Sequence, residues 1–191
     1  MLVLASTSPR RKEILSRYFN KFECVKPQIN EEDFRCKDVS HYALELSKMK
    51  AYSVFKDHPS DIIISCDTIV VFDDEIFEKP TSREDAKKMI QKLSGNRHFV
   101  LSAYTILYND GFEINQTVKT YVYFNDLSDE QIEGWLNKNS FMDKAGAYAI
   151  QEDEFNFVNK IEGSYNNVVG FPIESILKNL AKLNYFPNKE L

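Results

Sequence analysis

Three cysteines and three histidines are all that the 191-residue chain holds of thiol and imidazole side chains. Cys24, Cys36 and Cys66 show no metal-ligand spacing, so the expectation is reduced thiols in a cytoplasmic protein. None of His41, His58 and His98 stands in a context that would partner a nucleophilic thiol at Cys66, which argues against a thiol enzyme. No apolar run is long enough to span a membrane, and no signal-peptide pattern opens the chain. Nor is positive charge in excess. Lys and Arg number 24 against 29 Asp and Glu, a net charge of −5, which argues against nucleic-acid and membrane-surface partners. Repeats, low-complexity tracts and linkers are missing too. What remains is an ordinary soluble composition, 43% hydrophobic and 28% charged, in a chain long enough for one domain or two lobes sharing a sheet.

Against that acidic background the first turn of the chain is locally basic. Leu2 to Ala5 reads as a short buried strand, Ser6 to Ser8 as a polar turn, Ser8 as an N-cap and Pro9 as the first helical residue. Ile14, Leu15, Tyr18 and Phe19 continue at helical spacing. A helix start favours acids, yet Arg10, Arg11 and Lys12 fill this one. Cations there suit a bound polyanion held by free N–H groups, hydroxyls and guanidinium forks; a solvated basic face is the plain alternative.

Farther on, Phe22 to Val25 suits a short strand and Gln28 to Asp33 an acidic loop. Ser40 to Phe55 suits a helix, with Lys48 and Lys50 as surface lysines of its second half. Asp61 to Phe72 is a β-branched run, one central strand or two meeting end to end, with Asp67 in its middle. A carboxylate is costly to bury there unless paired or bound to a cation, so Asp67 is either functional or a turn cap. Asp73-Asp74-Glu75 turns a hairpin, and Thr81-Ser82-Arg83-Glu84 reads as a capping box opening a helix with Ala86, Met89, Ile90 and Leu93 inward, ended by Gly95. Phe99 to Tyr108 and Ile114 to Phe124 read as strands joined at Asn109-Asp110-Gly111. Ser128 to Gln131 is a second capping box, ahead of Ile132, Trp135 and Leu136. Pro172 opens a last helix, and the tail from Asn184 is expected to be loose.

Seven places along the chain carry a resemblance. The opening run from Leu2 to Leu15, Glu31 in the acidic loop, Leu46 to Ala51, the Asp67-Thr68 pair, Glu78-Lys79-Pro80, Asp143-Lys144-Ala145-Gly146-Ala147-Tyr148-Ala149-Ile150-Gln151 and the run from Ile161 to Pro172 are together similar to the signatures of the Maf proteins, a family of nucleoside triphosphate pyrophosphatases. The similarity extends from Leu4 to about Leu180. Departures fall at Asn30, where the family carries an acid, and at Ala149 and Glu152, where it carries glycines. The resemblance implies an α/β fold like that of the inosine triphosphatases: an elongated single domain over 1–191, a twisted mixed β-sheet flanked by helices, and two lobes around a cleft. It implies phosphate contacts from Ser6, Arg10, Arg11, Lys50 and Lys79, a functional carboxylate at Glu31, and Asp67 as catalytic base. Arg10, Thr68 and Gln151 match the selectivity positions of the branch that resembles a dTTP/UTP hydrolase.

Carboxylates among phosphates repel them unless a divalent metal lies between, so Glu31 and Asp67 are expected to hold Mg²⁺ or Mn²⁺. The expected reaction is water attack on the α-phosphorus of a nucleoside triphosphate, releasing pyrophosphate and the monophosphate. A nucleotide-sensing regulator of cell division or septum formation, without turnover, is the alternative. A homodimer is among the forms the resemblance implies.

Overall fold

In the computed structural model, residues 1–188 are described except 32, 33, 35, 37, 110, 139 and 153. Glu32 and Asp33 of the acidic loop and Asp110 of the second hairpin turn thus lie outside the described residues.

The chain opens with β1 (Leu2–Leu4), α1 (Pro9–Ser16), β2 (Glu23–Cys24), α2 (Val39–Phe55) and β3 (Ile62–Phe72). It continues through β4 (Glu75–Phe77), α3 (Arg83–Leu93), β5 (Arg97–Tyr108), β6 (Phe112–Phe124) and α4 (Asp129–Asn137). It closes with β7 (Val158–Glu162), α5 (Tyr165–Val169) and α6 (Ile173–Lys182). The strands form one seven-stranded mixed sheet in the order β2-β1-β3-β5-β6-β7, with β4 paired to β3. β1 runs parallel to β2 and β3, whereas β4 is antiparallel to β3 and β7 to β6. This is the α/β class expected, and the β-branched run is one continuous strand. Among the described residues no helix is long and apolar enough to cross a membrane. Two compact units are built on the chain.

The first unit holds Met1–Asp67, Ser102–Val118 and Gly170–Leu191. Its core gathers Val3, Ala5, Ala51, Val54, Ile63 and Leu107. Apolar β1 is buried at every position because it lies between two strands. Ser8 caps α1 and Pro9 is its first residue, as their chemistry dictates. The tail differs from expectation. The Asn188 N–H donates to the Tyr18 carbonyl at 3.1 Å, the Asn20 N–H donates to Asn188 Oδ1 at 2.8 Å, and Tyr185 stacks on Phe19 at 5.6 Å. Asparagine amides anchor Asn184 to Asn188 in a way that no periodicity announces.

The second unit holds Thr68–Leu101 and Lys119–Val169. Asp73 and Asp74 both adopt positive φ (48° and 61°), which a two-residue hairpin turn requires and which Asp tolerates. The α3 cap lies one residue beyond the expected one: Ser82 accepts the Asp85 N–H, while the N–H and hydroxyl of Thr81 both donate to the Asp85 carboxylate at 2.9 and 3.2 Å. Ser128 and Gln131 make the full capping box of α4. Ala86, Ile90 and Leu93 pack with Ile132, Trp135, Leu136, Phe124 and Phe157. Gly146 sits at φ 70°, and a Cβ there would lie 3.0 Å from a Val70 methyl, so both backbone conformation and close approach favour glycine.

His98 is buried in this core, with Nε2 2.8 Å from the Tyr148 hydroxyl and its ring edge-on to Phe124. Burial drops its pKa from 6.5 to about 3. The unfolded chain takes up this proton as pH falls below its ordinary value, while the folded chain resists until far lower. Stability is therefore lost across that window, by up to about 1.4 kcal/mol per pH unit from this group. His98→Phe is expected to flatten the decline between pH 6 and pH 4 in urea titrations; an unchanged slope would contradict the burial argument.

Candidate active site

The central feature of the first unit is an ammonium between two carboxylates. Lys50 Nζ lies 2.5 Å from Asp67 Oδ1 and 3.2 Å from Glu31 Oε1. Lys50 and Asp67 are each only 7% exposed, so both charges are withdrawn from water, whereas the Glu31 side chain is half exposed. A buried carboxylate in a strand needs a cation, and α2 supplies it. Lys50 is thus not the surface lysine its neighbour suggests: Lys48 points to Glu45 and Glu113.

Residues unremarked in the sequence hold that geometry. One helical turn before Lys50, Ser47 is fully buried, and its Oγ lies 2.9 Å from Thr105 Oγ1. Two residues before Asp67, Ser65 Oγ donates to the Ser47 carbonyl at 2.5 Å. Thr105 in turn donates to Asn115 Oδ1 at 2.9 Å. This buried hydroxyl chain locks α2 against β3 and β5, so the ammonium and the carboxylate meet in one register. Its only sequence signal is two serines at positions where apolar residues would fit the pattern.

At the first turn, Ser6 is nearly buried and its Oγ accepts the Ser8 N–H at 3.1 Å, folding the turn onto itself. Arg10 is half-buried at the second position of α1. Arg11 is committed inward: Nη1 donates to the Cys66 carbonyl at 2.6 Å and Nε to the Gly170 carbonyl at 3.0 Å. Cys66 is completely buried, its sulfur 3.6 Å from the Gly170 carbonyl oxygen. None of the three cysteines is in a disulfide.

In the second unit, Thr68 is a half-buried residue of β3, Lys79 is exposed between β4 and Pro80, and Gln151 is exposed in a 3-10 turn over Ile150–Glu152. Glu152, standing where the signature has glycine, forms an ion pair with the buried Lys144 ammonium at 3.5 Å and accepts from Ser140 Oγ at 3.2 Å, which ties down the turn carrying Gln151.

Glu31 and Asp67 already converge on one cation, and oxygen donors of this kind suit Mg²⁺ or Mn²⁺. No group of three or more His, Cys, Asp or Glu that could hold a metal occurs among the described residues. A hard divalent ion here would complete its shell with oxygens of a bound anion and water, the usual habit of Mg²⁺. The donor set fits that ion.

A family model described as Maf-like protein matches residues 1–183. A dTTP/UTP pyrophosphatase of Pyrococcus abyssi (strain GE5 / Orsay) is 41% identical over 187 residues, covering 98% of each chain. One of Thermococcus onnurineus (strain NA1) is 44% identical over 178 residues, covering 93% of this chain and 95% of its own. One of Geobacillus sp. (strain WCH70) is 38% identical over 184 residues, covering 96% and 98%.

Proposed function

The chain belongs to the Maf family, and from that premise we propose that it hydrolyses nucleoside triphosphates, dTTP and UTP foremost, to the monophosphate and pyrophosphate. The observation that carries this reading is the buried Lys50–Asp67 pair with Glu31 on the same ammonium. A site that only binds triphosphate has use for cations but none for two acids among them. The relatives bear the names of enzymes, and nothing among the described residues favours a sensor without turnover.

In this reading the 191 residues work as one domain. Ser6 and Arg10 at the start of α1, with Lys50 and Lys79, bind the phosphate oxygens and neutralise charge gathering on the departing pyrophosphate. Asp67, held at Oδ1 by Lys50, takes a proton from the attacking water at Oδ2. That water's oxygen bonds to the α-phosphorus as the bond from this phosphorus to the bridging oxygen breaks, and the bridging oxygen leaves on pyrophosphate. Glu31 and Asp67 would hold the Mg²⁺ or Mn²⁺, which lowers the pKa of water and shields the phosphates from the carboxylates.

Gln151 can both donate to and accept from the edge of uracil or thymine, and on the resemblance it shares base selection with Arg10 and Thr68. A site that bonds a pyrimidine edge leaves its own polar groups unpaired against other bases. In a panel of nucleoside triphosphates assayed for pyrophosphate with Mg²⁺ or Mn²⁺, kcat/KM for dTTP and UTP is expected to exceed that for purines by about 100-fold. Preference for a methylated purine would overturn the substrate assignment.

A further inference from the structure

β1 and β3 pair in parallel from Leu2 opposite Ile62 to Leu4 opposite Ile64, and the ladder closes with the Ala5 N–H donating to the Ile64 carbonyl at 2.8 Å. The next residue leaves it. Ser6 turns back, its N–H donating to the Leu4 carbonyl, and the chain enters α1. The strand β1 therefore stops one ladder step before the Cys66 carbonyl, while β3 runs on into Asp67. Arg11 takes up that step: its Nη1 donates to the Cys66 carbonyl and its Nε to the Gly170 carbonyl.

From this geometry we infer that Arg11 is a positioning residue for Asp67, acting through the backbone, and that this is its principal role in catalysis; the inference rests on Asp67 being the base. The Cys66 carbonyl and the Asp67 N–H belong to one planar peptide group, so a donor that fixes the first orients the second. The carboxylate of Asp67 springs from that peptide. Arg11 is itself fixed at both ends, its N–H lying 3.5 Å from the capping Ser8 Oγ and its guanidinium spanning two carbonyls. The fork brings two donors to separate oxygens with a rigid spacing, which a lysine ammonium, a point charge on a flexible stem, does not reproduce. A cation at a helix start thus has an inward task, binding α1, β3 and the Gly170 segment together at the residue before the acid.

The test uses Arg11→Lys, Asp67→Asn and the double variant of the full chain, with dTTP as substrate and an α,β-imido analogue of dUTP as binding probe. Arg11→Lys is expected to lower kcat per analogue-binding site by about tenfold or more, since small misplacements of a catalytic group are costly, while KM and the analogue Kd move by less than about threefold. In the Asp67→Asn background the same substitution is expected to have no further effect on kcat, because the group it positions is already gone. A rise in KM and Kd with kcat kept would assign Arg11 to phosphate instead and overturn the inference. A loss that persists in full on top of Asp67→Asn would overturn it too, while leaving Asp67 as the base. Wild-type turnover in Asp67→Asn alone would remove the base assignment, and the positioning role with it. A lower number of binding sites with unchanged kcat per site would reduce Arg11 to a folding role.

Discussion

Asp67→Asn is expected to lower kcat about 10³-fold while the affinity for a non-hydrolysable nucleotide stays within about threefold, the span that general-base catalysis contributes. The substitution is nearly isosteric. An amide oxygen can still accept from Lys50 Nζ, which now stands 2.5 Å from Asp67 Oδ1, and Glu31 remains on the same ammonium. The cation thus keeps an anionic partner. On the proposed mechanism the amide oxygen can still ligate the metal, and what disappears is the acceptor for the water's proton, an interaction that matters in the transition state far more than in the bound ground state. Pyrophosphate release and calorimetric titration of an α,β-imido nucleotide give the two numbers. Turnover near the wild-type rate would remove Asp67 from the chemistry.

Lys50→Met is expected to have the largest effect on stability. It leaves the Asp67 carboxylate, 10% exposed at the side chain, beside Glu31 with no ammonium. Removing one member of a buried ion pair costs about 3 kcal/mol, mostly for the charge left behind, and a domain of this size would melt roughly 10 °C lower. Turnover falls as well, because the acid loses the contact that orients it. Two comparisons separate this from a simple packing defect. Lys50→Met with Asp67→Asn should regain most of the melting temperature, since the stranded charge is gone and half-exposed Glu31 is tolerated by water. Mn²⁺ should raise the melting temperature of Lys50→Met more than that of the wild type, as its two carboxylates lack a counter-charge. A single variant melting with the wild type, or a double variant no better than the single, would contradict the pairing.

Much of the scaffold was legible because local rules and tertiary structure agree. Ser8 and Pro9 begin α1, Ser128 and Gln131 cap α4, and the Asp73-Asp74 pair turns the β3–β4 hairpin, each by chemistry confined to a few residues. Elements held by distant partners were not. β7 has neither an apolar run nor a clean alternation, and it exists because Val158 to Glu162 pair with β6. α5 is five residues long, too short for a periodic signal; within it Asn167 is fully buried and donates to the Val100 carbonyl and Thr120 Oγ1.

The same division runs through the candidate site. Asp67 stood out because a lone acid in a β-branched run is chemically expensive, and its burial against Lys50 bears out the demand for a cation. Lys50 and Lys48 looked alike in the sequence. Only the packing of α2, set by the Ser65, Ser47 and Thr105 hydroxyls, turns one inward and leaves the other with Glu45 and Glu113. Arg10 and Arg11 were equally alike as cations at a helix start. Their difference arises where β1 stops, a matter of strand length that no residue type records.

The most direct measurement of the central claim is the fate of the water oxygen. In a single turnover of dTTP in heavy-oxygen water, the heavy atom is expected in the nucleoside monophosphate, with unlabelled pyrophosphate as the other product, because the proposed mechanism has Asp67 direct water to the α-phosphorus. Label in the pyrophosphate, or release of inorganic phosphate and the diphosphate, would place the attack elsewhere and contradict it.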